Sequence, residues 1–388
     1  MTVRDVAIIG SGLVGATAAL ALSRGGLDVA LVGADLSAAG ERPPESWDPR
    51  IYAISPGSRS LLERVEVWSS LPVDRIQPVR SMRIQGDAGG VLGFEAMDSG
   101  VEALAYILES RLLSEALHRK VRSSGIELKI PARPVAMEQT ADHMRVDLDN
   151  GAAITARLVV GADGARSWVR RWSGIPCDVR IYPQTAVVAN FESELSHGGV
   201  ARQWFREDGI LALLPLPGRR VSMVWSAAEG KAKELLDLHP QALSAVVSQA
   251  FQGVAGELTS ITPAASFPLR RLNCARYIAP RLVLIGDAAH NIHPLAGQGL
   301  NLGLRDVQSL ADLLTNRGAD RDCGSLSLLR RYQRTRREDV SGMIAVTDGL
   351  QRLFSSRSPG VPTLRNLGLS LTGRVPMIRR ALAQHALA

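Results

Sequence analysis

The apolar positions of this chain fall into two textures. Residues 3–10, VRDVAIIG, form a short apolar run ending on glycine, the pattern of a parallel strand buried on both faces. Residues 13–23 are Ala-rich and helical in spacing, and residues 27–33, LDVALVG, form a second strand, so a βαβ unit opens at residue 3. Residues 39–49, rich in Pro, Glu and Gly, predict a loop. Helical spacing returns over residues 106–123. Residues 127–148 and 153–160 have strand character, the last ending at Gly161, and residues 281–285, RLVLI, predict a further buried strand. From there the pattern is helical to the end, broken near residues 355–362.

Residues 76–100 and 176–268 differ. Runs such as 185–191, 209–216 and 221–226 are β-like and punctuated by Pro and Gly, which predicts one antiparallel sheet assembled from two insertions. The predicted fold class is therefore α/β: a Rossmann-like cofactor domain (residues 1–75, 101–175 and 269–355), an inserted, mostly antiparallel β-sheet substrate domain (76–100 and 176–268), and a helical C-terminal segment (356–388). There is no internal repeat.

A length of 388 residues suits one large domain and a smaller one, and 46% apolar with 21% charged residues is a globular composition. The net charge of +7 raises nucleic acid as a partner, but the Arg residues are dispersed and aromatics are only 4%, which argues against it. An anionic lipid surface or an acidic partner fits such a charge better. Three cysteines without CxxC spacing predict no disulfide framework and a reducing, cytoplasmic setting. Neither a signal-peptide pattern nor an uncharged apolar run of membrane-spanning length is present.

Three motifs carry candidate chemistry. In the first, GSGLVG, Gly10 permits the tight turn, Gly12 lets backbone approach a pyrophosphate, and Gly15 lets the helix pack on the strand. The helix N-terminus then offers N–H groups to phosphate. Where an acidic residue normally ends the second strand to hold an adenosine ribose, Gly33 stands instead; Asp35 is either its substitute or a solvated loop residue. The second motif, Gly161-Ala162-Asp163-Gly164-Ala165-Arg166-Ser167, is a strand-end turn whose Asp can hold neighbouring N–H groups. The third, LVLIGDAAHNIHPLAGQGLNLGLRD over residues 282–306, places Gly286 for close approach and Asp287 to accept from a sugar-like hydroxyl. Its Gly297 to Gly299 loop presents N–H groups at a helix start, where negative charge is stabilised. His290 and His293 have HxxH spacing but no third ligand, so a metal is not predicted, and His290 suits a structural hydrogen bond.

With these residues the sequence resembles the ubiquinone-biosynthesis hydroxylases among the group A FAD-dependent monooxygenases, which have the p-hydroxybenzoate hydroxylase fold. The string His293-Pro294-Leu295-Ala296-Gly297-Gln298-Gly299-Leu300-Asn301-Leu302-Gly303, followed by Asp306, carries the resemblance. It is joined by GSGLVG, the Gly161 to Arg166 turn, Phe267-Pro268-Leu269, Val224-Trp225-Ser226 and the tail at residues 347–354. The resemblance implies that Gly10, Gly12 and Gly15 hold the FAD pyrophosphate and that Arg50 and Arg111 meet its phosphates. It implies a role for Asp163 in FAD and nicotinamide binding, and a contact from Asp287, beside Gly286, to the ribityl chain. Pro294, Gly297, Gln298, Gly299 and Asn301, with Leu300, would line the isoalloxazine.

The implied reaction is aromatic hydroxylation. NAD(P)H reduces FAD, O2 forms a flavin C4a-hydroperoxide, and its distal oxygen attacks a phenol ring. The motifs accordingly contain no acid–base pair and no catalytic residue of their own. Lacking a second GxGxxG, the chain would bind NAD(P)H transiently or take electrons from another donor. Family substrates are polyprenylated phenols of ubiquinone biosynthesis, which places a biosynthetic complex and peripheral membrane contact on the cytoplasmic face among the implied partners. Residues 364–387 mix Leu with Arg and suit either a bilayer surface or a domain-packing helix. The competing readings are a soluble hydroxylase of a small phenol, an isoprenoid reductase, and an inactive flavin-binding scaffold.

Overall fold

The computed structural model describes residues 2–34, 45–87, 89–292, 298–318 and 320–355, with Arg365 and Leu387. Five parallel strands form the centre of the first sheet, in the order Leu282–Leu284, Ala153–Gly161, Val3–Ile9, Val29–Val32, Glu127–Lys129. Val6, Ala7 and Ile8 are fully buried, as the continuous apolar run requires of a strand covered on both faces. The chain leaves Val3–Ile9 toward one edge and later returns on its other side, so the strand order reverses there. That reversal opens a crevice at the carboxyl ends of the strands. Ile278–Ala279, Met144–Leu148 and Pro134–Gln139 extend the sheet by antiparallel pairing to eight strands. Helix Leu13–Arg24 packs against helices Ser110–Arg122 and Gln298–Thr315.

The second sheet has nine strands, led by the long Cys177–Ser193. Its pairings are antiparallel except between Val200–Arg206 and Ser81–Gln85, where the two insertions meet in parallel register. Helices Glu229–Asp237 and Pro240–Ala250 cover one face over a core that includes Phe191, Trp204, Trp225 and Phe251. The other face walls a cavity shared with the first sheet.

Three features differ from the sequence expectation. Residues 106–109 are not the start of a helix. Ala105–Glu109 is a strand pairing antiparallel with both Ile51–Ile54 and Gln77–Val79, and the helix begins at Ser110. A short run such as Tyr106-Ile107-Leu108 has no period that separates helix from strand; burial between two partners decides it. Second, strand Ala265–Cys274 runs through the boundary expected at 268 and pairs with His290–Asn291. It therefore carries the chain from the substrate-side sheet directly into the cofactor motif. Third, Cys177 and Cys274 face each other across paired strands with sulfurs 2.9 Å apart, unbonded, a proximity that the spacing of the cysteines did not suggest.

Helix Leu326–Ser355 is the last long element described. Of the expected C-terminal segment, only Arg365, paired with Asp87, and Leu387, at the cavity wall, lie within the described residues. No helix among the described residues is long and apolar enough to cross a membrane.

Candidate functional site

The glycines of the first turn have two different reasons to be there. Gly10 sits at φ +116°, and a Cβ on it would lie 2.3 Å from the Ala162 carbonyl oxygen. A Cβ on Gly15 would lie 1.8 Å from the Gly10 carbonyl oxygen. The chain's own packing demands both. Gly12 is different. Its φ of −69° suits any residue, and a Cβ there would meet nothing within 4 Å. It opens onto the cavity at the start of helix Leu13–Arg24, where free N–H groups face a ligand's phosphates. Gly33 has a steric cause: a Cβ would lie 2.2 Å from Ser11 Oγ, so Ser11 fills the place where an acidic side chain would start. The proposed substitute, Asp35, lies outside the described residues.

The long signature folds around one buried carboxylate. Asp306, on helix Gln298–Thr315, accepts from Gly286 N at 2.8 Å, His290 Nε2 at 2.7 Å and Arg336 Nε at 2.6 Å. Burial pushes its pKa up, but His290, Arg336 and these hydrogen bonds outweigh burial and hold it below its ordinary 3.8. Gly286, at φ +57°, packs on Val14, and Gly303 of the helix does the same, a Cβ there falling 2.8 Å from Val14 Cγ2. Asn301 is a clamp: its Nδ2 donates to Ala53 O at 2.8 Å and its Oδ1 accepts from Ser55 N at 3.0 Å. Gln298, Gly299 and Leu300 border the cavity. Pro294 and Gly297, with His293, lie outside the described residues.

Asp287 points into the cavity, where solvent reaches it although protein packs around it. That desolvation raises its pKa above the ordinary 3.8, against the pull of His290, a hydrogen bond with Asn291, and the charges of Arg50 and Arg270. The ionised form is the penalised one. The penalty is absent below 3.8, grows as pH rises from there to the raised folded value, and is complete above it. Asp287→Asn should therefore raise the melting temperature of the apoprotein at neutral pH while weakening FAD binding about tenfold, the loss of one charge-assisted hydrogen bond. Melting curves with and without FAD check both signs; a variant apoprotein that melts below wild type contradicts this account.

These groups share one cavity of about 770 Å³, within the range of cofactor and ligand sites. It runs from Gly12 and Leu13 past Arg50, Asp287 and Gln298 to the inner face of the second sheet. Its polar end fits FAD on three counts. Gln298 Oε1 is buried without a hydrogen-bond partner among the described residues. Cβ atoms on Gly12 or Gly299 would meet only open space. The first and signature helices both start at the cavity wall.

Residues 4–347 match the FAD-binding domain family. The chain is 37% identical to ubiquinone hydroxylase UbiL of Rhodospirillum rubrum, over 99% of this chain and 90% of that protein. It is 34% identical to 3-demethoxyubiquinol 3-hydroxylase of Escherichia coli, over 99% and 98%. The chain belongs to the ubiquinone-biosynthesis hydroxylase family of FAD-dependent monooxygenases. Among solved structures, Pseudomonas aeruginosa PqsL with 2-aminobenzoylacetate superposes with a TM-score of 0.77 at 25% identity, over 95% of this chain and 99% of that one.

Seen as a hydroxylase of this family, the protein brings Gly12, Arg50, Asp287, Gln298, Gly299, Leu300 and Asn301 to the cavity wall. Arg50 lies 5.1 Å from the Phe267 ring and 5.3 Å from the Tyr52 ring. Two of the expected residues, Arg111 and Asp163, are not on the cavity wall. Arg111 Nη2 donates to Ser46 O at 2.8 Å and its backbone N to Asp48 Oδ2, while its Nε is buried without a partner among the described residues. Asp163 binds its own turn: Ser167 Oγ, Trp168 N at 2.6 Å and Val169 N at 3.1 Å donate to it, and its neighbours Ala162 and Gly164 line the wall.

Sequence reading missed the supports. Glu109, fully buried, accepts from Asp48 N at 2.6 Å and Arg75 Nε at 3.0 Å, and so fixes the segment that carries Arg50. Arg336 is, by sequence, one of the dispersed arginines. A signal existed: Leu329, Tyr332, Val340 and Met343 mark a buried stripe at helical spacing, and Arg336 falls on it.

Proposed function

We propose that this flavoprotein hydroxylates the aromatic ring of a polyprenylated phenol in ubiquinone biosynthesis, with O2 and with NAD(P)H as electron donor. The observation that carries the reading is the character of the cavity beyond the flavin-binding end. There the wall is mostly apolar, with Met82, Phe94, Ile107, Val188, Ile210 and Leu214 on strands of the second sheet and its neighbour, and Arg202, Gln203 and Ser226 as its polar members. An apolar wall continuous with a polar, phosphate-binding end suits a ligand with an aromatic head and a hydrocarbon tail. FAD, once reduced, supplies the oxygen chemistry. The protein's part is to hold the cofactor through Gly12, Asp287 and the signature helix, to keep water from the ring, and to aim it. The names of the curated relatives point to the same pathway.

Turnover of a 2-polyprenylphenol with NAD(P)H and labelled O2 tests this. One labelled oxygen in the ring product supports it. NAD(P)H oxidation with no oxygen transferred, or equal turnover of a small phenol without a tail, refutes the substrate assignment. Contact with a membrane or with other enzymes of the pathway is part of the proposal, since such a substrate resides in lipid. Liposome flotation of wild type against a chain ending at residue 363 tests whether residues 364–387 carry that contact, and equal partitioning rejects it.

A further inference from the structure

We infer that Gln203 is the residue that recognises the phenolic hydroxyl of the substrate; the inference rests on the proposed phenol hydroxylation. Gln203 lies on strand Val200–Arg206, on the face that alternation shares with Ala201 and Phe205. That face looks into the cavity. Its neighbours in register are Ile84 on one side and Ala212 on the other, followed by Val224 and Val188 across the sheet. The row is apolar except for this one amide. Gln203 is 6% exposed, and that exposure includes its amide, which opens to the cavity and has no hydrogen-bond partner among the described residues.

An amide that opens to the cavity keeps its donor and acceptor for water or for a ligand, while the apolar row around it offers neither. A ligand that fills the cavity and displaces that water must replace its hydrogen bonds. The amide carries both a donor and an acceptor on one planar head. A phenolic hydroxyl can use both, accepting from Nε2 and donating to Oε1, whereas a hydrocarbon tail can use neither. Ala212 beside it leaves room for a ring over the amide, and Met82, Phe94 and Ile210 offer the apolar surface next to it for the tail. Gln203 thereby decides which end of an amphipathic ligand enters and which ring oxygen is fixed.

Gln203→Met keeps length and volume but removes both hydrogen-bonding functions. The test uses oxidised holoenzyme without reductant and follows the flavin absorbance change on adding 2-prenylphenol or its deoxy counterpart, prenylbenzene. Wild type should bind the phenol at least tenfold more tightly. Gln203→Met should lose most of that preference, about tenfold, through weaker phenol binding alone, with FAD content and prenylbenzene affinity unchanged. Gln203→Leu, which also lacks donor and acceptor, should lose the preference to the same extent. If wild type prefers the phenol and both variants keep the full preference, the inference is wrong while the phenol reading stands. If wild type shows no preference, the phenol reading itself fails.

Discussion

Asp306→Asn is expected to destabilise the protein by about 3–5 kcal/mol, the cost of breaking a fully buried ion pair from one side. Across a chain of this length that corresponds to a fall in melting temperature of about 4–6 °C. Three donors converge on Asp306: Gly286 N, His290 Nε2 and Arg336 Nε. An Asn side chain keeps one acceptor oxygen and turns an NH2 toward donors, so the Arg336 guanidinium is left buried and short of its partner. Asp339 and the Leu302 carbonyl still hold the other two guanidinium nitrogens, which moderates the loss. FAD binding should weaken as well, because Gly286 precedes Asp287 and the turn loses its anchor. The double replacement Asp306→Asn with Arg336→Met should be less destabilised than Asp306→Asn alone, since the unpaired charge is gone while the Asn oxygen can still accept from Gly286 N. Denaturant unfolding of the variants measures this, and a double variant worse than the single one contradicts the charge-based account. The effect also has a pH signature. Asp306 is held below 3.8, so its stabilisation is fully present above that value and is lost as pH falls through the depressed folded value. Wild type and Asp306→Asn should therefore converge in strong acid and differ most near neutrality.

The parts of the fold that were legible in the sequence are those encoded by neighbours in the chain. The unit from Val3 to Val32 announces itself through a continuous apolar run, spaced glycines and an Ala-rich helix, and the structure forms strand, helix and strand there. The signature around Gly286, Asp287 and Gln298 was legible because a strand end, a glycine and a helix start follow one another within a short stretch. What stayed hidden depends on partners far away. Asn190 Nδ2 reaches the Asp48 carbonyl, 142 positions distant in sequence, and Glu109 finds Arg75 on another element. No local pattern states which of many charged residues will be buried. Asp163 shows the opposite case: a strand-end turn whose Asp can hold neighbouring N–H groups is a local pattern, and Trp168 N and Val169 N donate to it.

The glycine motif gives the sharpest contrast between two neighbouring positions. Gly15→Ala should prevent stable folding, because its Cβ would fall 1.8 Å from the Gly10 carbonyl oxygen, with backbone on both sides unable to yield. The cost should exceed the roughly 4–5 kcal/mol that marks an exceptional single substitution. Gly12→Ala should leave the apoprotein within about 0.5 kcal/mol of wild type, since φ is −69° and nothing lies within 4 Å of the added methyl. Its penalty should appear only with FAD, whose pyrophosphate needs the space that the methyl takes, as a loss in affinity of about 100-fold or 2.7 kcal/mol. Soluble yield and apoprotein melting separate the first variant from wild type, and FAD titration separates the second. The sequence motif assigns Gly12 to the cofactor and Gly15 to helix packing, and the structure supplies the distances behind that division. A Gly12→Ala protein that binds FAD like wild type would remove it.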